Sequence, residues 1–369
     1  MKKDIMSAEQ LDRSLAIKDL SDPKNGIHAV NLVVNRVIEA LGNAYGSIPI
    51  DVHRISPEVS VKENYDLLLF PEDNAGRSSR YTRYINENRV LLTHTSAAIP
   101  GWLKRSGGKT DDQIVVIPGM CYRRDVVDQI HCGEPHQMEV WRIKKGNPRL
   151  ERPQLIQLIE TITGVIPGYK YRANEVKHPY TINGLEVEIL VEETWVEILE
   201  CGEAHPTVLR NGNLDPTEYS GLALGMGLDR LVMILKGIND IRVLRSQDPR
   251  ISEQMTNLHK YVPVSNQPQT KRVLSYSASI DKTEEDICEI IQEVLGQNSI
   301  HLEKVHVEEC SYENLEQIAR DRLGINPNQK NVVATLTFRS IESSLPKKMV
   351  NEWMQAIYPR LNEGSKGYM

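Results

Sequence analysis

Two short stretches carry side chains whose types and spacing suit chemistry on small charged molecules. In CYRRDVVDQIHCGEPHQMEVW, residues 121–141, a strand end bears Arg123, Arg124 and Asp125, a polar loop follows, and a returning strand bears His136, Gln137 and Glu139. Such a strand–loop–strand offers cations to an anion, a carboxylate to an amine and an amide to a hydrogen-bonding substrate. Charges inside apolar strands need partners, because burying one unpaired is costly. A surface hairpin with ordinary ion pairs satisfies the same pattern. In GLALGMGLDRLVMILKG, residues 221–237, a glycine-broken apolar run passes at Gly227 into helical spacing at Leu228, Leu231, Val232 and Leu235, and Gly237 stops it. Arg230 falls in the first turn, where a cation opposes the helix dipole unless something anionic sits there.

The elements that must position these groups are short β-type runs and a few helices. YDLLLF (65–70), RVLLTHTS (89–96), QIVVIPG (113–119) and HQMEVWRI (136–143) read as strands. LEVEILV (185–191) and TWVEILE (194–200) read as a hairpin by their spacing. A helix with Ala29, Leu32, Val33, Val37 and Leu41 on one face precedes them and is expected to end at Gly42, and another starts near Pro153. Consecutive strands with short links predict an α+β fold with a mainly antiparallel sheet. A polar stretch at 256–270 reads as a linker between a domain spanning 1–255 and a small α+β domain at 271–369 of strand, helix, two strands and helix.

With 369 residues, 40% hydrophobic and 25% charged, the chain reads as an ordinary globular protein of two domains. No apolar run approaches membrane-helix length, and the N-terminal MKKDIMSAEQLDRS lacks the apolar core of a secretory signal. Five scattered cysteines, none in a CxxC pair, argue for reduced thiols in a cytoplasm and against a structural zinc site. A net charge of −6 gives no global pull toward nucleic acid.

Taken together, the motifs resemble those of the class II aminoacyl-tRNA synthetases, most closely the phenylalanyl branch. YRRD (122–125) followed by HQME (136–139) is similar to that family's second motif, and GMGLDR (225–230) to its third. GINDIR (237–242), LLTHTS (91–96) and TWVEILECG (194–202) match further segments in the same order. The C-terminal part is more loosely similar to the ferredoxin-like anticodon-binding domain of single-chain organellar enzymes. The resemblance implies an antiparallel sheet flanked by helices, with ATP and Mg²⁺ as cofactors and a ligase activity that forms an aminoacyl-adenylate.

By that resemblance Arg123 and Arg230 are the catalytic cations, and Arg124, Asp125, Gly225, Gly227 and Asp229 join them around ATP. Two fixed guanidinium groups would stabilise charge building on phosphate oxygens. Glu197 is the candidate magnesium ligand, or else a strand carboxylate paired with an arginine. His94, Ser96, Gln137 and Glu139 would hold the α-ammonium and carboxylate of an amino acid, Glu139 through a charge-assisted bond. His178, Tyr180, Leu222 and Ala223 would line its side chain.

That last set departs from the family's pattern. HPYT (178–181) stands where the phenylalanyl enzymes carry Phe-Pro-Phe-Thr, and Leu222 and Leu224 replace an aromatic pair around Ala223. Pro135 replaces a phenylalanine before His-Gln, and Asn74-Ala75 replaces His-Pro. If His178 and Tyr180 point into the pocket, the substrate side chain is polar or heteroaromatic; if they point away, phenylalanine fits. The expected acceptor is tRNA, with a carrier protein or small molecule as the alternative and a non-catalytic binding module as a third reading. Residues 271–369 hold 12 Lys/Arg against 15 Asp/Glu, which weighs against strong phosphate binding. Monomer and homodimer both stay open.

Overall fold

The apolar runs of the first two-thirds of the chain assemble into one seven-stranded sheet. Its strands are β1 (Ile50–Val52), β2 (Asp112–Met120), β3 (His136–Lys145), β4 (Tyr171–Glu175), β5 (Thr181–Val191), β6 (Thr194–Ala204) and β7 (Tyr219–Gly227). They lie in the order β1-β2-β3-β7-β6-β5-β4, antiparallel throughout except for β1 beside β2. This computed structural model describes residues 3–106 and 108–366. Met1 and Lys2 of the N-terminal stretch, Gly107 and the last three residues lie outside them.

Residues directly opposite one another in an antiparallel pair project to the same face, so register sorts the sheet's two sides. One row joins Ile117, Glu139, Gly225 and Glu200, and the next joins Val115, Trp141, Ala223 and Gly202. Leu222 and Leu224 alternate with these and face the other way, beside Arg142 and Val140 of β3. Trp141 and Ala223 pack into a cluster with Ile99, Trp102, Val208 and Leu209.

The helix Ala29–Tyr45 buries Val30, Val33, Val37 and Leu41 and packs on the helices Arg152–Thr163 and Leu228–Lys236. It runs through Gly42 and stops at Gly46, later than its sequence suggested. A glycine in a helix interior costs only about 0.5–1 kcal/mol relative to alanine, less than the packing of the turn that follows. YDLLLF is not a strand: Asp66–Leu68 form a 3₁₀ turn that ends at Leu69 in the left-handed region. RVLLTHTS is a strand only over Arg89–Leu91 and then turns into 3₁₀ at Thr95–Ala98. The buried Asn64 explains the break, since its side chain accepts from the Thr93 N–H at 3.2 Å and donates to Thr93 Oγ1 at 2.7 Å. Side-chain bonds of this kind replace a strand ladder.

The chain divides into two units, each made of three separate stretches: 1–123, 134–238 and 255–260 in the first, and 124–133, 239–254 and 261–369 in the second. The second contains a three-stranded antiparallel sheet, β8 (Thr270–Ser279), β9 (Leu302–Ser311) and β10 (Gln329–Phe338), with β10 central. Helices Glu284–Leu295 and Lys347–Leu361 pack on each other and supply Ile287, Ile291, Val350 and Ile357 to its core. Val127 joins that core, and its carbonyl accepts from the Val305 N–H at 3.0 Å. Residues 257–269 carry no helix or strand.

Candidate active site

Glu139 sits near the centre of the sheet with 2% of its surface exposed. Ser96 Oγ donates to its Oε2 at 2.7 Å and Trp141 Nε1 donates to its Oε1 at 2.7 Å. Burial pushes its carboxyl up to about 7, against the pull of those two hydrogen bonds. Gly225, directly opposite on β7, makes the room: a Cβ there would stand 3.0 Å from Glu139 Oε2. Gly225 therefore makes room for a carboxylate. Gly221 packs against Ile143 and Ala204, whereas a Cβ on Gly227 would meet open space.

Arg123 follows β2. Its Nε donates to the Thr93 carbonyl at 2.9 Å and its guanidinium lies over the Tyr81 ring at 5.4 Å. No carboxylate pairs with it among the described residues. The neighbouring His94 is partly buried, and burial with the nearby Arg123 charge lowers it to about 3, opposed by a hydrogen bond with the Asn64 backbone. Neither His94 ring nitrogen meets hydrogen-bond geometry with a partner. The imidazole stacks on Phe70 with centroids 5.2 Å apart.

Phe70 begins an aromatic wall. Tyr180 lies 6.2 Å from Phe70, 6.4 Å from Trp141 and 6.2 Å from His178, ring centroid to ring centroid. Burial, then Glu139 and Glu200, raise the Tyr180 hydroxyl well above its ordinary range, while Ser96 opposes them. His178 Nε2 stands 3.2 Å from Glu200 Oε2 without hydrogen-bond alignment. His178 thus turns toward Glu200, and Tyr180 toward Trp141, which holds Glu139. Leu222 is a correction: its register carries it to the opposite face of the sheet, and only Ala223 shares a face with Glu139 and Trp141.

Gln137 pairs with Gly227 and Gly119 one row beyond Glu139, on the same face. Arg230 donates from Nη1 to the Glu197 carbonyl at 3.0 Å and lies 3.8 Å from Glu197 Oε2. Burial raises the Glu197 carboxyl, and Glu200 adds to the effect. A bulge where β6 shifts register between Glu188 and Val187 puts Glu197 opposite Glu188 and Glu200 opposite Glu186. Like charges placed directly opposite repel, and oxygen donors crowded in this way suit a hard cation. No cage of three metal-ligating side chains occurs among the described residues.

Three residues expected around ATP make contacts within the protein. Asp229 is buried, accepting from the His136 N–H at 2.6 Å and pairing with His136 Nδ1 at 2.8 Å. His136 Nε2 accepts from the Leu20 N–H at 3.0 Å, so Nδ1 carries the proton toward Asp229. Asp229 is thus a bracket between β3 and the helix after β7. Arg124 and Asp125 belong to the second unit, where Arg124 pairs with Asp286 at 2.8 Å and with Glu289. Its charge is neutralised there.

Residues 16–255 match the family model for the class II core domain (F) of tRNA synthetases. The chain belongs to the class II aminoacyl-tRNA synthetases. The resemblance drawn from YRRD, HQME and GMGLDR is borne out, as is the antiparallel α+β architecture it implied, and the protein is a ligase. This synthetase is 28% identical over 338 residues to the chloroplastic/mitochondrial phenylalanine–tRNA ligase of Arabidopsis thaliana, spanning 88% of this chain and 74% of that one. It is 31% identical over 252 residues to the phenylalanine–tRNA ligase alpha subunit of Acaryochloris marina, spanning 68% and 72%. A third relative, the mitochondrial phenylalanine–tRNA ligase of Dictyostelium discoideum, is 32% identical over 238 residues, and the match spans 51% of its length.

Sequence reasoning missed Trp141, Glu200 and Phe70. Trp141 was within reach of pattern alone, because two residues beyond Glu139 on a strand is the same face. Glu200 needed the β6–β7 register. Phe70 needed the 3₁₀ turn that hides inside an apolar run.

Proposed function

We propose that this synthetase activates an aromatic α-amino acid with ATP and transfers it to tRNA. One observation supports this most strongly. The buried Glu139 carboxyl accepts from Ser96 and Trp141, and Arg123, which pairs with no carboxylate among the described residues, donates to the Thr93 carbonyl three residues before Ser96. An α-amino acid presents the complementary pair, an ammonium and a carboxylate. Glu139 receives the ammonium, and a charge-assisted bond to it is roughly twice as strong as a neutral one. Gln137, His94 and Ser96 orient the rest of the common part.

In the first step a substrate carboxylate oxygen attacks the α-phosphorus of ATP, the bond to the bridging oxygen breaks, and pyrophosphate leaves. Arg123 faces the α-phosphate and the carboxylate, Arg230 the γ-phosphate and adenine. Preorganised cations of this kind are each worth roughly 10²–10³ in rate. Magnesium neutralises phosphate charge when bound, and Glu197 beside Glu200 is the carboxylate set that would hold it. In the second step a tRNA hydroxyl attacks the adenylate carbonyl and AMP leaves. The five cysteines are free thiols, which supports a reducing compartment such as the cytoplasm. No described helix is long and apolar enough to cross a membrane.

The test is ATP–pyrophosphate exchange by the purified chain over the standard amino acids, followed by tRNA charging. Exchange restricted to aromatic amino acids, and tRNA binding that weakens steeply with salt, are expected. Exchange without tRNA binding even at low salt would replace tRNA by another acceptor.

A further inference from the structure

We infer that the side-chain pocket selects an aromatic α-amino acid carrying a hydrogen-bonding atom on its ring, in preference to phenylalanine. The inference rests on the activation reading above and specifies its substrate. Flat walls come from Phe70, Tyr180 and Trp141, whose centroids follow one another at 6.2 and 6.4 Å. A planar ring complements such walls.

Polar atoms interrupt them. The His178 side chain is 9% exposed, and its Nε2 has no aligned partner although Glu200 Oε2 lies 3.2 Å away. His178 Nδ1 is 3.4 Å from Thr181 Oγ1, which anchors the imidazole at its other nitrogen. Gly184 and Gly202 accommodate this corner: a Cβ on the first would meet His178 Nδ1 at 3.0 Å, and one on the second would meet Thr181 Cβ at 2.7 Å. The Tyr180 ring lies between those of His178 and Trp141, and its hydroxyl, raised by burial and then by Glu139 and Glu200, stays protonated, hence a donor. A benzyl side chain would seal these atoms from water and give them nothing in return, the condition under which a buried polar group costs most. A ring hydroxyl or ring nitrogen meets them. Sites built to hydrogen-bond a substrate atom reject the analogue lacking it by up to roughly 10⁴–10⁵, and the half-exposed Glu200 moderates that here.

The experiment is pyrophosphate exchange by the full chain with phenylalanine, tyrosine and the three pyridylalanines. At least one ring-polar amino acid is expected to exceed phenylalanine in kcat/KM by about tenfold or more. In His178→Phe that ratio should fall by a similar factor, read beside a melting curve. Tyr180→Phe, which removes one atom, supplies the same comparison if the first variant does not fold. Phenylalanine equal to or better than every ring-polar compound with the unmodified protein would overturn the inference, as would preference for an aliphatic amino acid. The first result leaves the activation reading standing; the second keeps adenylate formation but removes the aromatic substrate from that reading. No exchange with any amino acid would overturn that reading and the inference with it.

Discussion

Along β7, Ala223 and Gly225 look one way and Leu222 and Leu224 the other, and only the first pair shares its face with Glu139 and Trp141. Small residues on one side cede volume to neighbouring side chains. On the other side the leucines fill their own volume and are fully buried. One strand therefore puts small residues beside Glu139 and leucines on the opposite face, and changes on its two faces should separate in the same way.

The largest effect belongs to the functional face. Arg123→Ala should lower pyrophosphate exchange by about 10³-fold while thermal melting stays near that of the parent. A collapse of melting temperature instead would mean that Arg123 holds the fold. On the opposite face, Leu224→Ala should cost about 2–5 kcal/mol in denaturant unfolding, and the ranking of amino acids in exchange should not change. A reordered ranking would break the division between the faces.

The smallest effect is electrostatic. Glu139 keeps its proton in the folded chain up to about 7, whereas an unperturbed carboxyl loses it near 4.5. The folded state then binds more protons in that window, so this group makes stability fall as pH rises. His94 acts in the opposite direction, because the unfolded imidazole takes a proton below 6.5 and the folded one refuses it until about 3. Between 4.5 and 6.5 the two slopes offset each other. Glu139→Gln removes one, so its stability should gain on the parent with rising pH by up to about 1.4 kcal/mol per unit. Parallel pH profiles in chemical denaturation would show that Glu139 does not hold the proton.

Period and order made much of this legible from sequence. The helix EEDICEIIQEVL, the 185–200 hairpin and the strands QIVVIPG and HQMEVWRI all lie where alternation or helical spacing put them. Arg123, Glu139 and Arg230 were found because charges inside apolar runs demand an explanation. The face of Leu222 was hidden because GLALG is apolar at successive positions, and without alternation a strand does not announce which side is which. Arg124 was hidden for another reason. Its acids lie in a helix that begins at Glu284, and nothing local to YRRD points there.

That long reach has a consequence for how the protein is made. Val127 leaves the ribosome long before Ile287, Leu336 and Ile357, the neighbours that will bury it, have been synthesised. The 124–133 stretch must wait, with an apolar side chain in water, until the last hundred residues arrive. Early domains of a growing chain ordinarily settle first; here the loop next to a proposed catalytic cation is among the last pieces to close. A nascent chain stalled before Glu284 would carry the class II core without the groups that finish this loop.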